Sequence, residues 1–136
     1  MNNSSLASEY LSKAFRDLSQ TRTSLEEGDL VSTINNSYNF IEDISKALLS
    51  LYGIYTYEEH TAQKLNLIIT KMREEKEILL IRKLQLMEQR LYPLMLIDES
   101  SLKDTVIIRN FEAKALVKEL ENIFELANSI FDEFHS

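Results

Sequence analysis

The sequence predicts an all-α fold, an up-and-down bundle of four main helices, or five if the long third one breaks near residues 73–77. Three observations lead there. Apolar residues recur at three- and four-residue steps through most of the 136 residues, the period of a helix with one buried face. Only two Gly, Gly28 and Gly53, and one Pro, Pro93, interrupt them, too few for the tight turns of a sheet-rich fold. With 44% hydrophobic residues the chain can bury one sizeable core and not two, so residues 1–136 are expected to form a single domain.

The first helix is expected from Ser4 or Ser5 to about Glu27, with Leu6, Tyr10, Leu11, Ala14, Phe15, Leu18 and Leu25 on its apolar side. Gly28 suits a left-handed C-cap, and Asp29 can accept from the first free amides of the next helix. The second helix, about Leu30 to Tyr52, carries Val31, Ile34, Tyr38, Ile41, Ile44, Leu48 and Leu51 on one face, widened by Phe40, Ala47 and Leu49. Gly53 ends it. Thr56 and Glu59 have the offset of a capping box, which predicts a third helix starting near Tyr57.

That helix could run to about Leu91, and some thirty-five residues would be roughly 50 Å long at 1.5 Å per residue. The charged run Arg73 to Glu77 separates its two apolar sets and is the expected break. Tyr92-Pro93 is expected to stop it, because Pro removes a donor and restricts the residue before it. Ser101 with Asp104 marks the start of a last helix reaching about Phe134, with apolar positions from Ile107 to Phe134 in helical period.

Composition also excludes function classes. The absence of Cys removes disulfides, thiolate zinc sites and a cysteine nucleophile, and is compatible with a reducing compartment. Residues 1–5 show no basic stretch leading into an apolar core, and the longest apolar runs, such as Ile78 to Ile81, are far too short for a membrane span. A cytoplasmic location is expected. A net charge of -7 argues against indiscriminate adhesion to nucleic acid, which depends on Lys and Arg neutralising phosphates. Charge is uneven, with six bases against four Glu between Lys71 and Arg90 and nine acids against four bases from Asp98 onward. The basic stretch reads either as a solvated face laced with pairs such as Lys71 with Glu75 and Arg73 with Glu77, or as a local anion-binding patch.

Catalytic signatures are incomplete throughout. Two glycines cannot make a phosphate-binding loop, and His60 and His135 are too distant in sequence for a local helical metal pair. Carboxylate pairs such as Glu58/Glu59, Glu74/Glu75 and Glu119/Glu121 lack a His at the i, i+3 spacing of a di-iron bundle, and Asp132 with His135 has no second copy. No metal or cofactor is expected. Lys46, four residues after Glu42, reads as its partner on a helix surface, and His60 as an ordinary, partly exposed residue.

The stretch Asn36-Ser37-Tyr38-Asn39-Phe40-Ile41-Glu42-Asp43-Ile44-Ser45-Lys46-Ala47-Leu48-Leu49, followed by Leu51-Tyr52-Gly53-Ile54 and His60, resembles the second helix and following turn of the HEPN superfamily. Leu25-Glu26-Glu27-Gly28-Asp29 is similar to its first interhelical turn, and the likeness runs from about Ala7 to Thr70. The resemblance implies a helical bundle that dimerises. Many HEPN proteins are metal-independent ribonucleases that pair Arg, usually followed by a polar residue, with a His four to six intervening residues later. Arg109-Asn110 matches the first half, but the corresponding later positions hold Lys114, Ala115 and Leu116.

The missing His matters because an imidazole can exchange a proton near neutral pH, whereas a Lys normally stays protonated and can only hold an anion. Arg109 can thus be a retained anion-binding residue, a structural or interface residue, or a catalytic one helped by His60 from another helix. The leading expectation is a non-catalytic, homodimeric HEPN-like module in which Arg109, Asn110 and Lys114 contact RNA, a nucleotide or a partner protein. His60, Lys46 and Glu42 are weaker candidates. The alternatives are a ribonuclease toxin of a toxin-antitoxin pair, whose antitoxin in this superfamily is often a small nucleotidyltransferase, and a purely structural helical adaptor.

Overall fold

In the computed structural model, which describes residues 3–98 and 110–135, α1 spans Asn3–Glu26 and α2 spans Leu30–Leu51. Both interhelical signals act as the sequence predicts. Gly28 takes φ +74° while its amide and that of Asp29 bond to the carbonyls of Leu25 and Ser24 at 3.1 and 2.9 Å, closing the carbonyl end of α1. Asp29 then accepts from the Ser32 amide at 3.0 Å and from its hydroxyl at 2.7 Å, and these bonds hold its carboxyl below the usual range. At the other end of α2, Gly53 is again left-handed and Ile54 N–H reaches Leu49 O at 3.0 Å.

The expected third helix from Tyr57 is not a single α-helix. Residues 57–60 form no helix, Thr61–Leu67 and Ile69–Lys71 are 3₁₀ segments, and α3 begins at Glu75 and ends at Met95. The break therefore falls where the charged run places it. Upstream of it the apolar spacing is three and not 3.6: Ala62, Leu65 and Ile68 are all fully buried, which is the period at which side chains line up along a 3₁₀ turn. The Thr56–Glu59 capping box does not form. The Thr56 hydroxyl instead accepts from Glu58 N at 3.2 Å and Lys64 Nζ at 2.9 Å.

Two further expectations are corrected. Pro93 lies inside α3, which runs on to Met95; the carbonyl that Pro93 deprives of a donor belongs to exposed Gln89, where water can serve it, and buried Leu94 anchors the last turn. The pairs Lys71–Glu75 and Arg73–Glu77 lose their common helix, because Lys71 ends a 3₁₀ segment and Arg73 precedes α3. Lys71 lies instead over the Tyr52 ring, 5.9 Å from its centroid. The last helix, α4, spans Asn110–His135; the Ser101–Asp104 start signal lies outside the described residues.

Side-chain pairs give the topology. Asn36 meets Ser24 and Asp43 meets Lys13 between α1 and α2. Tyr92 meets Tyr38 and Glu88 meets Glu42 between α2 and α3, Lys76 meets Glu133 and Lys83 meets Glu119 between α3 and α4, and Phe124 and Glu121 meet Phe15 and Arg22 between α4 and α1. In each case one number rises as the other falls, so successive helices are antiparallel and the ring closes. The core at its centre holds Phe40, Ile41, Ile44, Leu48, Leu80, Ile81, Leu84, Leu120 and Ile123. Among the described residues α2 supplies more of the large, fully buried side chains than any other helix.

Candidate functional site

The polar centre of the bundle is built from neighbouring residues of α2. Tyr38 and Glu42, one turn apart, turn toward α3, while Asp43, about 100° further round the helix, turns toward α1. Glu42 is only 6% exposed and Asp43 2%. The expectation of a surface Glu42–Lys46 pair is therefore wrong: Glu42 Oε1 accepts from the Thr61 amide at 2.9 Å and the Tyr38 hydroxyl at 3.3 Å. From α3, Glu88, 2% exposed, accepts from the Ala62 amide through Oε2 at 2.9 Å. Two buried carboxyls thus satisfy the first free amides of the 3₁₀ segment, whose N-cap, His60, makes no side-chain capping bond.

His60 has φ +60°, a left-handed conformation that costs a residue with a Cβ about 1–2 kcal/mol. Three contacts hold it there. Its amide donates to Tyr38 Oη at 3.3 Å, Nδ1 lies 3.5 Å from the same oxygen, and the ring meets Tyr92 edge-on with centroids 4.2 Å apart. His60 is accordingly half-buried and wedged between two tyrosines. Burial and the nearby Glu42 push the Tyr38 hydroxyl well above the ordinary tyrosine range, so it serves as a neutral donor.

The carboxyls fall into two like-charged pairs. Glu88 bonds to Glu42, and burial raises its pKa to about 8. Asp17, on α1, bonds to Asp43, and burial raises it likewise to about 8. Two carboxyls can hydrogen-bond only if a proton lies between them. That proton accounts for buried oxygens on Asp17, Glu42 and Asp43 that meet no other donor. Lys13 Nζ stands 3.7 Å from Asp43 Oδ1 at the edge. Above the pairs opens a cleft of about 260 Å³ whose lining includes Lys13, Asn39, Lys46, Tyr57 and Glu59.

Of the residues singled out from sequence, the fold brings Glu42, Lys46 and His60 into one neighbourhood. Lys114 stands elsewhere, exposed on α4, in a shallow cleft with Arg22, Leu25, Glu26 and Val117. Arg109 and the Asn110 side chain lie outside what is described. Asp17, Asp43 and Glu88 were not anticipated from sequence, although their phase was available: Asp17 falls between Ala14 and Thr21 on the buried side of α1, and Glu88 follows Leu84 by one turn. Among the described residues no group of three or more His, Asp or Glu side chains is placed to hold a metal ion, and no helix is long and apolar enough to cross a membrane.

The HEPN domain family model matches residues 7–130. The chain belongs to the HEPN family. Curated proteins and solved structures give no match. The matched residues begin within α1 and end within α4, and they include the 3₁₀ connection between α2 and α3.

Proposed function

We propose that this HEPN domain is a non-catalytic, homodimeric binding module of the cytoplasm, with Arg109, Asn110 and Lys114 holding an anionic group of its ligand. One observation carries the reading: after Arg109-Asn110, positions 114, 115 and 116 hold Lys, Ala and Leu, and none is the His that would exchange a proton. Lys114 is exposed on α4 and supplies positive charge without a titrating base. His60 is a poor substitute, because its ring is held between Tyr38 and Tyr92. The net charge of -7 turns the module away from long nucleic acid and toward a ligand with one localised anionic group, a nucleotide or an acidic segment of a partner protein.

The test combines mass and activity. Light scattering at micromolar concentration should give twice the 15.8 kDa chain mass, and the purified chain should leave single-stranded RNA intact. A monomer would remove the dimeric part of the proposal. Cleavage abolished by Arg109→Ala would overturn the non-catalytic part, and growth arrest relieved by a co-expressed small nucleotidyltransferase would then identify a toxin. Ligand or partner binding unchanged in the Arg109→Ala, Lys114→Ala double variant would leave a structural adaptor.

A further inference from the structure

We propose that the Glu42–Glu88 pair is a pH-sensitive latch on the connection between α2 and α3: one proton between the two carboxyls keeps residues 60–62 docked in the bundle, and its loss releases them. The geometry is that of a clasp. Glu42 comes from α2 and Glu88 from α3, both more than nine-tenths buried, and each takes one of the consecutive amides of Thr61 and Ala62 at 2.9 Å. The two carboxyls also lie close enough to share a proton. No other donor reaches Glu42 Oε2, so the contact between them exists only while the pair retains a proton.

Loss of that proton leaves two buried negative charges in contact, and nothing nearby is placed to neutralise the second one. The groups around the pair are Tyr38, Asp43 and Lys46 from α2, Tyr57, Glu58, Glu59 and His60 from the connection, Gln63 from the 3₁₀ segment, Tyr92 from α3, and Lys13 and Asp17 from α1 across the cleft. Among the described residues no cation is paired with either carboxyl, and Lys46 lines the cleft without a bond to them. Lys13 faces Asp43 at 3.7 Å, and Lys64 is bonded to Glu58 at 2.6 Å and to Thr56. The amides of Thr61 and Ala62, with the Tyr38 hydroxyl on Glu42 and the Gln63 side chain on Glu88, favour the charged form, but all of these donors are neutral. Left-handed His60 adds a bias toward release, because its backbone relaxes once Tyr38 and the two amides no longer hold it. Glu88, raised to about 8 by burial and by Glu42, places the transition on the alkaline side of neutrality.

Amide hydrogen exchange followed by NMR from pH 6 to 9.5, with intrinsic base catalysis divided out, tests the latch. Protection at Thr61 and Ala62 should fall about tenfold per pH unit above the transition, while Ile44 and Leu48 in the middle of α2 keep theirs. In Glu88→Gln the side-chain amide donates to Glu42 at every pH and its oxygen still accepts from Ala62, so protection at the two amides should stay within about twofold. Flat protection in the wild type, an equal fall in α2, or the same fall in Glu88→Gln would overturn the proposal. A measurement on the unaltered chain stands beside the variant: the Glu88 carboxyl carbon shift should titrate above pH 7, and a midpoint below pH 6 would be equally fatal.

Discussion

Replacing Asp17 by Asn should change how the stability of the whole bundle depends on pH. In the native chain Asp17 is 7% exposed, bonds to Asp43 across the α1–α2 contact, and has its pKa raised from 3.8 to about 8 by burial first and by Asp43 second. Between those two values the folded chain keeps a proton that the unfolded chain has lost. Stability is therefore fully present below about pH 4 and declines as pH rises to about 8, by at most about 1.4 kcal/mol per unit. The four-unit window sets a ceiling of about 5–6 kcal/mol, and relaxation of the pair with Lys13 close by should bring the observed loss to about 2–3 kcal/mol. The introduced side-chain amide would donate to Asp43 without a titrating proton. Urea unfolding at pH 5, 6, 7 and 8 should show the variant with about half the wild-type slope, because the Glu42–Glu88 pair still contributes the rest. The variant should be less stable than the wild type at pH 5 and equal or superior at pH 8. Parallel curves across this range would refute the shared proton.

Two further substitutions probe the fold. Phe40→Ala removes a fully buried ring packed 6.2 Å from Phe124, and should cost about 3–5 kcal/mol in urea unfolding, or prevent folding; a loss under about 1 kcal/mol would mean that α2 and α4 do not meet there. Gly28→Ala places a Cβ in open space but at φ +74°, so thermal melting should show a loss of about 1–2 kcal/mol from backbone strain alone. An unchanged midpoint would mean that the α1–α2 turn is not left-handed.

The fold was largely legible because its main signals are local. Gly28 followed by Asp29, Gly53 after Tyr52, and the apolar stripe of the second helix each act within a few residues and land where they were expected, whereas on the first helix Ala14 and Leu18 are buried and Phe15 is exposed. Misreadings occurred where distant groups outweighed local ones. Thr56 and Glu59 look like a helix start, but Glu42 and Glu88 from two other helices take the amides of Thr61 and Ala62, and the chain starts a 3₁₀ turn there instead. Pro93 looks like a stop, yet burial of Leu94 carries α3 past it. Glu42 reads as a surface acid beside Lys46 when only its own helix is considered, and it proves to be a core residue once α3 and the 3₁₀ connection close over it.

The candidate site divides in the same way. Arg109-Asn110 and the residues after it are a statement about residue types at fixed spacing, so the loss of the family's His is readable from the sequence alone. By itself the sequence determined the helical class, the helix ends at the two glycines, the break in the third segment and the absence of that His, since all depend on neighbours in the chain. The tertiary structure alone decided that four acids at positions 17, 42, 43 and 88 would meet in pairs. Their pairing depends on which faces of α1, α2 and α3 are pressed together, and that placement sets both their burial and their protons.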